Sequence, residues 1–437
     1  MALVHTIYSR WILDSRGLPT VYCKVILDQN GRKITGYASV PSGASTGSHE
    51  ALELRDNGDQ FHGKGVSKAV ENINTILSDK LVGRDFNTAA ELDQAMLSFD
   101  TSGNKSELGA NSILGVSMAS HRAFAQLAGL ELWQYLRRIY FSSLPAQTKF
   151  PRLMCNVLNG GAHADNGLSI QEFMVIPNGG DIVDDIRMAS EIYHTLKSEL
   201  SKGGYSTSLG DEGGFAPTFD LKSMVSSQSD TESVELNPTK VALNFLQQAI
   251  IDSGYTNVKC ELGMDVAATE FYSTDSQLYT LDGKELSRSE LTDFYSEICE
   301  EFPIISIEDG FAEDDVLGWE VITAALAKKI KLIGDDLFVT NPKRFEEIGI
   351  TNNIANGVLI KLNQIGSVIE TCQMINKAKE FGYITAISHR SGETIDSFIS
   401  DLAVAAQSEF IKLGAPARGE RVAKYNRLLE IYDSLRQ

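Results

Sequence analysis

The feature that most restricts how this chain can fold is a recurrence of short apolar runs that end in charge. PIISIEDG carries Glu308, KLIGDDL carries Asp335 and Asp336, GVLIKLNQIG carries Lys361, and SEFIKLG carries Lys412. YITAISHRSG carries Ser388, His389, Arg390 and Ser391, and upstream CELGMDVA carries Asp265. From Glu308 through Asp335, Lys361 and His389 to Lys412 the steps are 27, 26, 28 and 23 residues. That interval accommodates one strand, one helix and two loops. A run such as GVLI reads as a strand buried on both faces. Units of this kind close into a barrel of parallel strands with helices outside, and the groups at the C-terminal strand ends then face one mouth. A lone lysine at a strand end is usually a surface charge. Six charged endings at one mouth read as an active site.

The chain of 437 residues is long enough for such a barrel and a smaller domain. A hydrophobic content of 43% and a charged content of 22% describe a soluble globular protein. The formal net charge of −19 argues against a nucleic-acid partner and is mostly a matter of solubility. An anionic substrate would need local positive charge against this field. Cys23, Cys155, Cys260, Cys299 and Cys372 are scattered, without a CxxC pair, and suggest reduced thiols in a cytosol. The first residues lack a signal-peptide pattern, and no apolar run approaches the roughly 18 to 20 residues of a membrane span. A cytoplasmic protein without membrane insertion is expected.

The first 137 residues differ from the rest. VYCKVILD and KITGYASV flank Gln29-Asn30-Gly31 and predict a hairpin, with Asn-Gly supplying the positive φ of the turn. Val66, Val70, Ile73, Leu77 and Leu81 step at helical spacing. Thr88 and Glu91 form a capping box, and LGANSILGVSMASHRAFAQLAG predicts a closely packed small-residue helix stopped by Gly129. Residues 1–137 are therefore expected to form an α+β capping domain and residues 145–437 the barrel, with Pro145 and Pro151 marking the crossing. Three Gly-rich stretches, at 40–50, 159–167 and 209–217, carry polar groups; each is either turn chemistry or a ligand loop. The polar run SSQSDTESVE at 226–235 reads as a solvated loop or an exposed helix start.

GASTG at 43–47 matches the GxSxG pattern of serine hydrolases, but a nucleophile elbow follows a buried parallel strand and opens a helix, whereas this one follows a hairpin arm. The hydrolase reading is rejected. Asp265, Glu308 and Asp335 place three carboxylates on strand ends, which would repel one another unless one protonates or a cation joins them. Oxygen-only ligands suit magnesium. Asp336 alternates to the other face and is expected to be structural.

The motifs DSRG, PSGASTG with EALELRD, NKSELGAN, LNGGAH, IQEFM, GDEGGFAP, MDVAATEF, SIED, GDDLFVTNP, KLNQIG, SHRSGET and IKLGAPAR run in one order nearly end to end. In these the chain resembles the enolase family. The resemblance implies an enolase-type TIM-like barrel with a smaller N-terminal α+β domain. It also implies a hydro-lyase that dehydrates 2-phospho-D-glycerate to phosphoenolpyruvate in glycolysis, reversibly, with two Mg2+ per active site. By motif, Lys361 is the general base and Glu212 the general acid, supported by Glu172 and His163, with His389 beside them. Asp265, Glu308 and Asp335 hold the first magnesium, and Ser45 joins a second when the GASTG loop closes. Arg390 and Ser391 bind phosphate, Lys412 meets the substrate carboxylate, and Gln171 and Ser388 line the pocket. A homodimer or higher homo-oligomer is implied as well. The chemistry accounts for these types: removing a proton beside a carboxylate piles charge onto an anion, which enolase-superfamily sites are known to manage with a Lys or His base and one or two magnesium ions. The chain departs from the family at Leu18, Gly310, Ile395 and Gly419, none of them a proposed site residue, and Gly310 is expected to loosen the loop after Glu308. Two other readings stand beside this one: an enolase-like non-catalytic binding protein, and another proton-abstracting barrel enzyme of the same superfamily.

Overall fold

The computed structural model describes residues 1–43, 47–219, 237–256 and 259–436. The 226–235 stretch read as a loop or helix start lies outside these residues, as does Ser45. The chain begins with a four-stranded antiparallel sheet in the order β3-β2-β1-β4, made of β1 (Ala2–Leu13), β2 (Pro19–Gln29), β3 (Arg32–Ser39) and the short β4 (Asp85–Phe86). The β2–β3 hairpin turns on Asn30 and Gly31, both at positive φ (54° and 82°), as expected of Asn-Gly. Strand β1 was not expected. Its burial changes phase across a bulge between Val4 and Thr6, so Val4 and Ile7 both face the core, and the simple alternation that marks a strand is lost.

The helical spacing from Val66 to Leu81 is realised as the consecutive segments Ser67–Asn72, Ile73–Leu77 and Ser78–Leu81, the middle one a π turn. Thr88 caps the helix Ala89–Leu97 by accepting from the Glu91 N–H, but the Glu91 carboxylate accepts from Asn87 N at 2.8 Å instead of closing the box on Thr88. The small-residue helix Ala110–Leu127 is buried along nearly its whole circumference, and Gly129 follows at φ 66°. After the helix Leu132–Tyr140 the chain reaches Arg152 without further regular structure.

A closed eight-stranded barrel follows. Its strands are β5 (Arg152–Asn159), β6 (Glu172–Pro177), β7 (Cys260–Asp265), β11 (Ile304–Glu308), β12 (Lys331–Gly334), β13 (Gly357–Ile360), β14 (Ile384–Ser388) and β15 (Phe410–Lys412). Between β7 and β11 the chain forms a separate three-stranded sheet from β8 (Tyr272–Ser273), β9 (Leu278–Leu281) and β10 (Lys284–Leu286). Met154, Met174, Ile176, Ile333, Leu359, Ala386 and Phe410 form an apolar cluster contributed by the barrel strands, as expected of a packed interior.

The barrel and the smaller α+β domain are as expected, with one departure. β6 runs antiparallel to both its neighbours, while the other barrel pairings are parallel. Parallel pairing needs a crossover, usually a helix, yet residues 160–171 between β5 and β6 hold only a single 3-10 turn, Gly161–His163. The chain must turn straight back. This reversal has a functional effect: the N-terminal residue of β6, Glu172, pairs in register with Asp265 and so lies at the mouth where the parallel strands end. No described helix is long and apolar enough to cross a membrane, and all five cysteines are unpaired.

Candidate active site

The strand ends deliver the charges to one place. Asp265, Glu308, Ser388 and Lys412 are the last residues of their strands, and Asp335 and Lys361 directly follow β12 and β13. One cavity at this mouth is lined by His163, Gln171, Glu172, Glu212, Asp265, Lys361, Ser388, His389, Arg390, Ser391 and Lys412. All of these are residues singled out from the sequence. Glu308 and Asp335 join the group through Lys412 and Lys361.

Lys412 Nζ stands among three carboxylates, with Asp265 Oδ2 at 2.9 Å, Glu308 Oε1 at 2.9 Å and Glu172 Oε2 at 3.0 Å. Burial opposes its charge, but these acids hold it well above the usual lysine range. Burial and the charge of Asp265 push Glu308 well above the carboxylate range even so. Lys361 Nζ pairs with Asp335 Oδ2, whose other oxygen accepts from Gln364 Nε2 at 2.8 Å. Burial favours the neutral form of both, yet the pair outweighs it, lowering Asp335 and raising Lys361. The loop leading to Asp335 is fixed by Asp309, whose two oxygens accept from the N–H groups of Asp335 and Asp336, both at 2.8 Å. Asp336 does not turn away as expected: its carboxylate lies within 4.8 Å of those of Asp309 and Asp335. Burial and then the charge of Asp335 push Asp336 up to about 8.

Across the cavity the carboxylates meet imidazoles. His163 Nδ1 is 3.5 Å from Glu172 Oε1 and 4.0 Å from Glu212 Oε1, and His389 Nε2 is 3.3 Å from Glu212 Oε2. Asn156 Nδ2 donates to Glu212 Oε2 at 3.0 Å. Burial and the charge of Glu212 push Glu172 well above the usual range. Burial works in the same direction on Glu212, but His389, His163 and Arg421 hold it well below. Of the two acids, Glu172 is thus favoured in its neutral form and Glu212 in its ionised form. Burial drives His389 down to about 3, against the pull of Glu212.

The third corner is basic. Arg390 NH1 and NH2 meet Glu50 at 3.0 and 3.2 Å, and NH1 also meets Asn363 Oδ1 at 3.2 Å. Ser391 Oγ accepts from Arg16 NH1 at 3.3 Å. Two backbone hydrogen bonds of 2.8 Å between Ser42 and Gly392 staple the small domain to this corner. Ser42 thus lies beside the barrel mouth, beyond the hairpin arm β3 and not after a buried parallel strand. Gly310, expected to loosen the loop after Glu308, is buried, and its carbonyl accepts from Tyr295 Oη at 2.9 Å.

The structure adds residues that sequence reasoning did not single out. Arg16 and Glu50 come from the small domain, and Asp309, Gln364, Asn156 and Arg421 from the barrel. DSRG, EALELRD and SIED stand among the motifs of the resemblance, but nothing in their spacing shows that their side chains reach the mouth. Arg421 carries no sequence signal, because it sits in a helix, Gly419–Ser434, that otherwise reads as amphipathic.

The donor set fits a divalent cation. Asp265, Glu308 and Asp335 offer only oxygen, and the crowding of acids that pushes Glu308 up is what a bound cation would relieve. Lys412 Nζ pairs with Asp265 and Glu308. Among the described residues, the acids whose ligand atoms lie within 4.8 Å of one another are Asp335 with Asp309 and Asp336, and Glu172 and Glu212 with His163. Gln171 Oε1 is buried there without a hydrogen-bond partner among the described residues.

A family model described as "Enolase, N-terminal domain" matches residues 4–136, and one described as "Enolase, C-terminal TIM barrel domain" matches residues 147–437. The chain is 48% identical over 437 residues to a curated protein of Natranaerobius thermophilus named Enolase, covering 100% of this chain and 96% of that protein.

Proposed function

The chain belongs to the enolase family, and from that premise we propose that it dehydrates 2-phospho-D-glycerate to phosphoenolpyruvate, with residues 145–437 as the catalytic barrel and 1–137 as its cap. The observation that carries this reading is the two-sided cavity: an amine with a single carboxylate partner on one wall and the acids Glu172 and Glu212 on the other. A base and an acid on separate walls suit removal of a proton and departure of hydroxide from adjacent carbons.

Lys361 is the base. Asp335, held by Gln364, fixes its position, and the Asp335 carboxylate favours its ammonium against burial. Asp265, Glu308 and Asp335 would hold magnesium, with Ser45 joining a second ion. Bound there, divalent charge neutralises these carboxylates, so favouring the neutral amine, and offsets the charge that builds on the substrate carboxylate. Lys412 binds that carboxylate, with Gln171 and Ser388 lining the pocket beside it. Arg390 and Ser391 take the phosphate. The proton held by Glu172 reaches the leaving hydroxyl through Glu212, with His163 and His389 beside the pair. A cytoplasmic location and a homo-oligomeric state are part of the same reading.

The test is formation of phosphoenolpyruvate from 2-phosphoglycerate, followed by ultraviolet absorbance with magnesium and after chelation. Turnover is expected only with the metal. Pure, magnesium-loaded protein without turnover would reject the proposal and favour a non-catalytic binding role or another acid substrate.

A further inference from the structure

We infer that Arg421 is a positioning residue that decides which nitrogen of His389 carries the hydrogen and so aims an N–H donor at Glu212. The inference rests on the dehydration proposed above and concerns how its acid is prepared.

Arg421 lies in the first turn of the helix Gly419–Ser434 and is 0% exposed, one of the largest fully buried side chains. Its guanidinium approaches His389 Nδ1 at 2.6 Å, Arg390 O at 2.6 Å, Ser391 O at 2.6 Å and Asp211 O at 3.3 Å. A guanidinium has only donors and stays charged. His389 Nδ1 must therefore accept, and a ring with Nδ1 bare carries its hydrogen on Nε2, the atom 3.3 Å from Glu212 Oε2, close to it though not aligned as a hydrogen bond. The same guanidinium joins the loop that precedes Glu212 to the loop that carries Arg390 and Ser391.

The close fit depends on Gly414. At φ +77°, a Cβ there would lie 2.7 Å from Glu212 O, 2.9 Å from His389 Cε1 and 3.2 Å from Arg421 Cδ. The nearest acid to Arg421 is Glu420, at 3.6 Å from Nε. Lys361 is not among the partners of Arg421, so loss of the guanidinium should impair the acid step and spare the base step.

The test uses the full chain with magnesium. In 15N-histidine-labelled protein at neutral pH, His389 is expected to show a bare Nδ1 and a protonated Nε2; a ring protonated at Nδ1, or a cationic ring, overturns the inference whether or not any variant folds. Arg421→Met should slow dehydration by about 100-fold while Lys361-dependent exchange of the substrate C2 hydrogen with solvent stays within about threefold, and Arg421→Lys should recover part of the loss. Equal loss of dehydration and exchange would reduce Arg421 to a structural residue. If wild-type protein does not dehydrate 2-phosphoglycerate, the proposed function fails, and the ring-nitrogen measurement still decides the assignment of Arg421.

Discussion

Lys361, half-buried, and Lys412, buried, stand at the same barrel mouth, two strands apart, yet they keep different company. Lys361 faces one carboxylate, Asp335, which it shares with Gln364. Lys412 faces three, Asp265, Glu172 and Glu308. On the proposed reading, a cation held by Asp265, Glu308 and Asp335 would offset the one carboxylate paired with Lys361, whereas Lys412 would keep Glu172 besides. Identical side chains would then serve as base and anchor according to the number of acids around them. Asp93 is the opposite extreme, a buried acid with no lysine partner among the described residues. It lies where the helix Ala89–Leu97 of the small domain meets the N-terminus of the barrel helix Val368–Glu380, and it accepts from Ser117 Oγ at 2.7 Å and Ile369 N at 3.2 Å. Burial pushes it up to about 7.

The largest expected effect tests the base directly. Lys361→Ala should lower turnover by about 10^4-fold and abolish C2 hydrogen exchange, while magnesium still binds, as read by calorimetry. Exchange that persists in this variant would end the distinction between the two lysines. Lys412→Met should act on stability instead, because it strips three buried carboxylates of their cation. A loss of about 3 to 5 kcal/mol is expected without metal, largely restored by magnesium, in melts with and without the ion. A variant as stable as wild type in chelator would mean that the acids around Lys412 are already neutral.

Asp93 sharpens the comparison through pH. Its folded pKa exceeds its unfolded one, so between about pH 4 and 7 the folded state binds more protons and stability falls as pH rises. The penalty at and above pH 7 is on the order of 4 kcal/mol at most. Asp93→Asn should flatten this slope in denaturant titrations from pH 4 to 7; an unchanged slope would show that Asp93 ionises normally. The smallest effect is expected at Ile395, which is 78% exposed. Ile395→Glu should leave stability within about 0.5 kcal/mol, and a larger change would mean that this surface is covered in solution.

Much of the mouth was legible because its residues end strands, and strand ends recur at a readable interval. Lys361, Glu308 and Lys412 each follow an apolar run, and Asn30-Gly31 marks its hairpin without help from the rest of the molecule. Glu172 and Glu212 were reached through family motifs instead, since neither ends a forward-running strand. Strand β1 escaped because its bulge shifts the phase of burial, and Glu91 escaped because either of two neighbouring N–H groups can satisfy the same carboxylate. Asp336 was misplaced because strict alternation stops where the strand stops, just before Asp335.

The order of residues alone determined which groups stand at strand ends, and hence that lysines, carboxylates and a Ser-His-Arg-Ser corner would share one mouth. Alternation and spacing are properties of neighbouring residues, so they survive in a one-dimensional string. Only the tertiary structure decided that β6 runs backwards, that Lys412 collects three acids while Lys361 has one, and that Arg421 orients His389. Those outcomes depend on through-space distance and on the removal of water, and neither is a property of any single stretch of chain.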